Sequence, residues 1–289
     1  MTATRVMSVP VSGARLYCEV VGDGPVLLLV AGAAGDASTL APLATRLSAS
    51  YRVVTYDMRG LSRSVLDGPA EDTPIGLLAD DAYRILIALG GQPGHVFGTS
   101  GGGLVALELT ARHPDLVRTL IAHEPAATAL LPHPQQWLDF LDELAELYRQ
   151  HGAGVAMGRF LDGIEAVPGP GTSRLGQLVL PPVPLDESRM SPRTRALMRR
   201  AQANMERFFE HHIHQAARYR PDVAALEQAD SRIVIGVGQD SAGQAAHQAA
   251  LEVAGRLGLG VVDFPGDHQG YATKPAEFAA TVQQVLAAG

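Results

Sequence analysis

The feature that most constrains the fold is a serine set among glycines, in Gly98-Thr99-Ser100-Gly101-Gly102. A short, mainly apolar run at 95–97 precedes this G-x-S-x-G pattern, and residues 104–113 after it have a helix-like sequence. A serine between a strand and a helix lies on a tight turn, where larger residues two positions before or after it would collide with the backbone. Gly98 and Gly102 occupy those positions. The pattern predicts a strand–turn–helix unit that exposes the Ser100 hydroxyl.

Besides a turn that exposes a nucleophilic serine, two other structures would account for these glycines. The first is an ordinary Gly-rich turn after a buried strand. The second is a phosphate-binding loop, which fits less well because no Lys follows the glycines and no G-x-G-x-x-G register exists here. If Ser100 is a nucleophile, the N–H of Gly101 at the start of the following helix is placed to donate to an oxyanion.

Composition and charge limit the classes of partner. A chain of 289 residues with 46% hydrophobic content can bury one sizeable core. A formal net charge of −7 and an isoelectric point near 5.8, without a run of basic residues, argue against nucleic acid and anionic membranes. We expect a small, mainly apolar substrate. Residues 1–10 lack an apolar leader, and the longest apolar run, 26–31, is too short to cross a bilayer, so a cytoplasmic protein is expected.

Strand-like and helix-like segments alternate along most of the chain. The segments 5–11 and 15–21 are rich in β-forming residues and read as an antiparallel hairpin, whereas 25–30 is apolar on both faces, as a buried parallel strand must be. Further strands are expected at 51–56, 117–122, 232–238 and 261–264. Strands that alternate with helices in this way predict an α/β fold with a mostly parallel central sheet and helices on both faces.

The alternation stops between residues 126 and 230. This region carries amphipathic helical patterns between Pro- and Gly-rich connectors and no strand-like run. We therefore predict a core made of 1–125 and 231–289 and a helical cap, or lid, made of 126–230. Large apolar side chains on its helical faces are expected to cover the pocket above the serine: Trp137, Phe140, Met157, Phe160, Met205 and Phe208.

A serine hydroxyl needs a base to take its proton and an acid to orient that base. Asp240 follows the strand at 232–238, and His268 follows the strand at 261–264, which gives the order Ser100, Asp240, His268. Glu124 also lies just past a strand and is kept as the alternative acid. The histidines at 211, 212 and 214 lack the spacing of a zinc-binding helix, so no metal site is expected.

Together these motifs resemble the α/β-hydrolase superfamily over nearly the whole chain. The resemblance implies a catalytic triad of Ser100, Asp240 and His268, with an oxyanion hole formed by the backbone N–H groups of Ala33 and Gly101. Two departures stand out. Ala31 replaces a His that often steadies the oxyanion loop in this family, and Ser62 replaces a usual Gly in the loop that begins at Asp57.

The resemblance implies a cofactor-free serine esterase that cleaves a carboxylic ester, thioester or lactone through an acyl-enzyme. Two other functions remain open from the sequence. One is hydrolysis of a carbon–carbon bond, or a non-hydrolytic tailoring reaction, in the same pocket. The other is a ligand-binding receptor that retains the triad without fast turnover.

Overall fold

A single sheet runs through the described part of the chain, residues 3–32, 34–165 and 191–288 of a computed structural model. In chain order its strands are β1 (Arg5–Val11), β2 (Ala14–Val21), β3 (Val26–Val30), β4 (Arg52–Tyr56), β5 (Val65–Leu66), β6 (Gly94–Thr99), β7 (Val117–His123), β8 (Arg232–Gly238) and β9 (Val261–Phe264). Their spatial order is β1-β2-β4-β3-β6-β7-β8-β9, with β5 beside β2.

The strand pairing is antiparallel at one end of the sheet and parallel through the rest. β1 pairs antiparallel with β2, and β2 pairs antiparallel with β4. From β4 through β3, β6, β7 and β8 to β9, every pairing is parallel. All five residues of β3, Val-Leu-Leu-Leu-Val, are buried, as expected for a strand covered on both faces. The predicted mostly parallel sheet is confirmed.

Helices cover both faces of this sheet. The helices of the described residues are α1 (Ala41–Leu47), α2 (Ile75–Ala88), α3 (Gly101–Arg112), α4 (Pro134–His151), α5 (Ala153–Glu165), α6 (Pro192–Arg207), α7 (Ile213–Arg218), α8 (Val223–Gln228), α9 (Ala245–Arg256), α10 (Gly270–Thr273) and α11 (Pro275–Ala287). One apolar cluster joins α1 and α11 to the sheet, and a second joins α2, α3 and α9 to it. Short 3₁₀ turns lie at Pro114–Leu116 and Thr128–Leu130.

Between β7 and β8 the described residues form helices α4 to α8, with one π-helical turn at Phe208–His212 between α6 and α7. Trp137, Phe140 and Leu144 of α4 are buried in the same cluster as the sheet. Residues 166–190, inside the predicted cap, lie outside the described residues. The division into a core and a separate cap therefore stays a prediction. Along the described ranges, no helix combines the length and apolar character needed to cross a membrane.

Candidate active site

Ser100 occupies a strained turn between β6 and α3. Its φ of 56° and ψ of −124° lie in a region that side chains rarely adopt. The glycines on either side make the turn possible. A Cβ on Gly98 would overlap the carbonyl of Gly102, and a Cβ on Gly102 would overlap the carbonyl of Val30. The spacing of small residues in the motif is therefore a steric requirement of this turn.

Backbone hydrogen bonds fix the turn. The Ser100 N–H donates to the carbonyl of His123 at 3.0 Å, and the Ser100 carbonyl accepts from the N–H groups of Gly103 at 2.9 Å and Ala126 at 3.1 Å. The first N–H groups of a helix have no acceptor within that helix, and Gly101 is the first residue of α3. Its N–H is therefore suited to bind a developing negative charge beside Ser100.

The other predicted oxyanion donor, Ala33, lies outside the described residues. Its neighbour Gly32 lies directly against the serine, because a Cβ on Gly32 would come within 2.6 Å of the Ser100 Cβ. The Gly35 N–H donates to the carbonyl of Gly32 at 2.9 Å. The loop after β3 thus lies against Ser100 at Gly32, and the role of Ala33 stays a prediction.

Glu124 faces His268 across the carboxyl ends of the strands. Glu124 Oε2 lies 2.6 Å from His268 Nδ1, and the second oxygen, Oε1, accepts from the Gly238 N–H at 2.9 Å. The Glu124 side chain is fully buried, and its backbone is held at a φ of 42°. A positive φ is rare outside glycine, and this site has it at both Ser100 and Glu124. Such backbone strain tends to be concentrated at functional sites.

The Glu124 carboxyl is held in its charged form. Burial alone would raise its pKa, but the hydrogen bond and charge of His268, with the Gly238 N–H, outweigh burial and lower the pKa to about 2. A carboxylate only accepts hydrogen bonds, so Nδ1 of His268 must carry the proton that it shares with Glu124. In the neutral ring the opposite nitrogen, Nε2, has a lone pair and can act as a base.

The structure does not bring Asp240 to His268, which corrects the preference for Asp240 as the acid. The Asp240 side chain is 60% exposed, and its Oδ2 lies 2.9 Å from Lys274 Nζ. The Asp240 N–H donates to the carbonyl of Gly266, which anchors the loop after β8. The strand ends at Gly238, whose N–H binds Glu124, and the chain has turned outward by the time it reaches Asp240.

Two further histidines flank the Glu124 carboxylate, and no sequence motif marks either of them. His123 is fully buried; burial lowers its pKa to about 3, and its Nδ1 lies 3.2 Å from Thr99 Oγ1. His247, on α9, has its Nδ1 at 3.7 Å from Glu124 Oε1. His123 also stacks on His268 with ring centroids 6.4 Å apart. The buried, neutral ring of His123 therefore packs beside the pair of Glu124 and His268.

Ser100 and His268 line the same cavity, which has a volume of about 60 Å³. Apart from His268, the described side chains around it carry no ionisable group. The lining residues are Ser100, Gly101, Ala126, Thr128, Trp137, Leu141, Phe160, Ile164, Phe208, Ile213, Ala216, Ala217, Ala245, Ala246 and His268. The cavity is therefore a mainly apolar space whose lining includes Ser100, Gly101 and His268.

Three of the six large apolar residues predicted to cover the pocket line this cavity: Trp137, Phe160 and Phe208. The other three, Phe140, Met157 and Met205, instead belong to the apolar cluster or pack against it.

In the histidine-rich segment, burial lowers the pKa of His212 to about 4. Among the described residues, no group of His, Cys, Asp or Glu is arranged to hold a metal ion.

Known proteins are similar to this chain in sequence and in fold. The sequence profile of the α/β-hydrolase fold matches residues 25–168. The uncharacterized hydrolase YraK of Bacillus subtilis is 30% identical over 280 residues, covering 96% of this chain and 94% of YraK.

Solved structures of low identity share the fold. An enol-lactonase from Burkholderia xenovorans LB400 has a TM-score of 0.70 at 20% identity, with 97% of this chain and 100% of that chain covered. A thermophilic esterase from Thermogutta terrifontis also has a TM-score of 0.70, at 18% identity, with 98% of each chain covered. With the strained Ser100 turn and the sheet order, these similarities show that the chain belongs to the α/β-hydrolase superfamily and is a hydrolase of that superfamily.

Proposed function

We propose that the protein is a serine hydrolase that cleaves a carboxylic ester, thioester or lactone with a small, uncharged acyl group. Ser100 is the nucleophile, His268 the general base and Glu124 the acid that orients it. The N–H groups of Gly101 and Ala33 stabilise the oxyanion. The observation that carries this proposal is that Ser100 and His268 line one cavity while His268 Nδ1 lies 2.6 Å from the buried Glu124 carboxylate.

The chemistry proceeds in two halves. Ser100 Oγ attacks the acyl carbon as its proton passes to Nε2 of His268, and the carbonyl oxygen becomes an oxyanion held by backbone N–H groups. The bond to the leaving oxygen or sulfur then breaks, and that atom takes the proton from His268. Water next attacks the acyl-enzyme and gives its proton to His268. Collapse of the second tetrahedral intermediate returns the proton to Ser100 and releases the carboxylic acid.

The cavity limits the acyl group. Its volume of about 60 Å³ is less than half of the roughly 150 Å³ that accommodates benzene in an engineered protein cavity, which supports a short acyl chain. Among its described lining residues no Lys or Arg is available to pair with a carboxylate on the acyl group. The proposed substrate is therefore uncharged at the acyl end.

Turnover of a series of aryl esters with acyl chains of two, four and eight carbons tests the proposal. We expect release of the chromophore with the shorter chains and a single covalent label on Ser100 from a fluorophosphonate. Ser100→Ala should abolish both. Ser50→Ala, at an exposed position remote from the cavity, is the matched control and should keep both.

Three outcomes would contradict the proposal. Unchanged labelling in Ser100→Ala would exclude Ser100 as the nucleophile. Tight binding of an ester or lactone without release of product would favour a ligand-binding receptor. Cleavage of a vinylogous diketone together with inertness towards all the esters would favour carbon–carbon bond hydrolysis.

A further inference from the structure

Asn204, on the cap helix α6, reaches the loop that carries the proposed oxyanion donor. The side chain is 3% exposed, although α6 is mostly solvent-facing along its length. Asn204 Nδ2 donates to the carbonyl of Ala34 at 3.1 Å and to Ser62 Oγ at 2.9 Å. Asn204 Oδ1 accepts from the Ser62 N–H at 2.8 Å. One amide thus joins the cap to two separate loops of the core.

The orientation of this amide is fixed by its partners. The Ala34 carbonyl only accepts and the Ser62 N–H only donates, so a flipped amide would set oxygen against oxygen and nitrogen against nitrogen. Both hydrogens of the amide nitrogen and its oxygen are therefore in use. Such full and directional use of a buried side chain argues for a positional role rather than incidental burial.

Ser62 also forms a hydrogen bond with Asp36. The Ser62 hydroxyl donates to Asp36 Oδ2 at 2.7 Å, and Asp36 Oδ1 accepts from the hydroxyl and N–H of Ser38. Burial would raise the pKa of Asp36, but these hydrogen bonds, with the charge of Arg63, lower it, so the carboxyl is charged. Ser62 itself has a φ of 49°, a conformation that favours glycine. Hydrogen bonds on both sides of Ser62 help to hold it there.

These contacts connect the two departures noted in the sequence. Ala31 has no polar side chain with which to steady the loop after β3. The described part of that loop is instead held at Ala34 by Asn204, at Ala37 by Asp57 Oδ1 at 2.9 Å, and at Asp36 by Ser62. Gly32, at the start of the loop, lies against Ser100. Movement at Ala34 therefore bears directly on the backbone beside the nucleophile.

We infer that Asn204 is a positioning residue that couples docking of the cap to the geometry of the oxyanion loop. This inference rests on the proposed function, because it assigns a part of the same site. Loss of Asn204 should weaken binding of the oxyanion more than binding of the substrate. A misplaced donor near the reacting atoms lowers kcat, while contacts elsewhere in the pocket keep KM nearly constant.

The test compares Asn204→Ala and Asn204→Asp with Gln202→Ala. Asn204→Asp keeps the shape of the side chain but loses the donor to Ala34. Gln202 is exposed on the same helix and bonds to Glu206 one turn away, so it is the matched control. Two readouts are measured: ester hydrolysis, and hydrogen exchange of the amides in 34–40, which does not depend on activity.

We expect both Asn204 variants to lower kcat about 10- to 100-fold with KM within about 3-fold, and to speed exchange in 34–40, while Gln202→Ala changes neither. If the wild-type protein hydrolyses no ester but both Asn204 variants exchange faster in 34–40, the coupling is supported and only the proposed function is overturned. Exchange in 34–40 that matches wild type in both Asn204 variants overturns the inference, whatever the effect on kcat. If Asn204→Ala does not fold, Asn204→Asp alone decides by the same two readouts.

Discussion

His268 Nδ1 lies 2.6 Å from Glu124 Oε2, whereas Asp240, which follows the next strand, pairs with Lys274 at 2.9 Å. Both carboxylates follow strands that end at the same edge of the sheet, yet only Glu124 faces the imidazole. The first prediction separates them by kinetics.

Glu124→Gln should lower kcat by several orders of magnitude, because the neutral amide no longer holds His268 in the required tautomer. The equivalent change in a serine protease costs about 10⁴-fold. Asp240→Asn removes only an exposed ion pair and should change kcat less than about 3-fold. Steady-state hydrolysis of a short aryl ester measures both variants. A large loss of kcat in Asp240→Asn, with normal kcat in Glu124→Gln, would show that Asp240 is the acid.

The second prediction concerns the turn at Ser100. Gly102→Ala should destabilise the protein by about 1–3 kcal/mol or prevent folding, because the new Cβ overlaps the carbonyl of Val30 in β3. Gly158, in the middle of α5, has open space around the position of a Cβ. Gly158→Ala should therefore stabilise the protein by about 0.5–1 kcal/mol through helix propensity. Chemical denaturation measures both, and equal effects of the two substitutions would show that the turn is not sterically tight.

The third prediction is a loss of stability in mild acid. Burial lowers the pKa of His123 from 6.5 to about 3, so the native state keeps this ring neutral while the unfolded state binds a proton. The free energy of unfolding should therefore fall as the pH decreases from about 6.5 towards 3. Glu124, with its pKa lowered from 4.5 to about 2, adds a further loss between those two values.

Urea denaturation at intervals between pH 7 and 4.5 tests this expectation. His123→Gln should flatten the dependence by up to about 1.4 kcal/mol per pH unit, since one fewer proton is taken up on unfolding. The exposed His151 provides the control, and His151→Gln should leave the slope nearly unchanged. An unaltered slope in His123→Gln would mean that the buried ring is already protonated in the native state.

The fourth prediction concerns acyl-chain selectivity and rests on the proposed esterase activity. Ile164 of α5 lines the cavity, whereas Leu161 of the same helix does not line it and is 36% exposed. Ile164→Ala should enlarge the cavity and raise kcat/KM for longer acyl chains relative to acetyl, by about 1–3 kcal/mol per accommodated methylene. Leu161→Ala should leave the ratio at its wild-type value. The same ratio in both variants would mean that α5 does not set the chain length.

Much of this architecture could be predicted from local patterns. A continuous apolar run such as Val26–Val30 can only be buried on both faces, which implies a parallel strand between layers of helices. The turn has no space for a side chain at positions 98 and 102, and this requirement lies within five residues of chain. The position of Ser100 could therefore be predicted as well. His268 follows from chain order once the strand before it is recognised.

Tertiary structure decided what these patterns leave open. The choice between Glu124 and Asp240 depends on which side chain turns inward, and this depends on the φ of 42° at Glu124 and on the Gly238 N–H, 114 residues away in the chain. The hydrogen bonds between Asn204 and Ser62 span 142 residues. Sequence periodicity reports which face of an element is buried. It carries no information on the partner that a buried polar group meets, because that partner is chosen by the packing of elements distant in the chain.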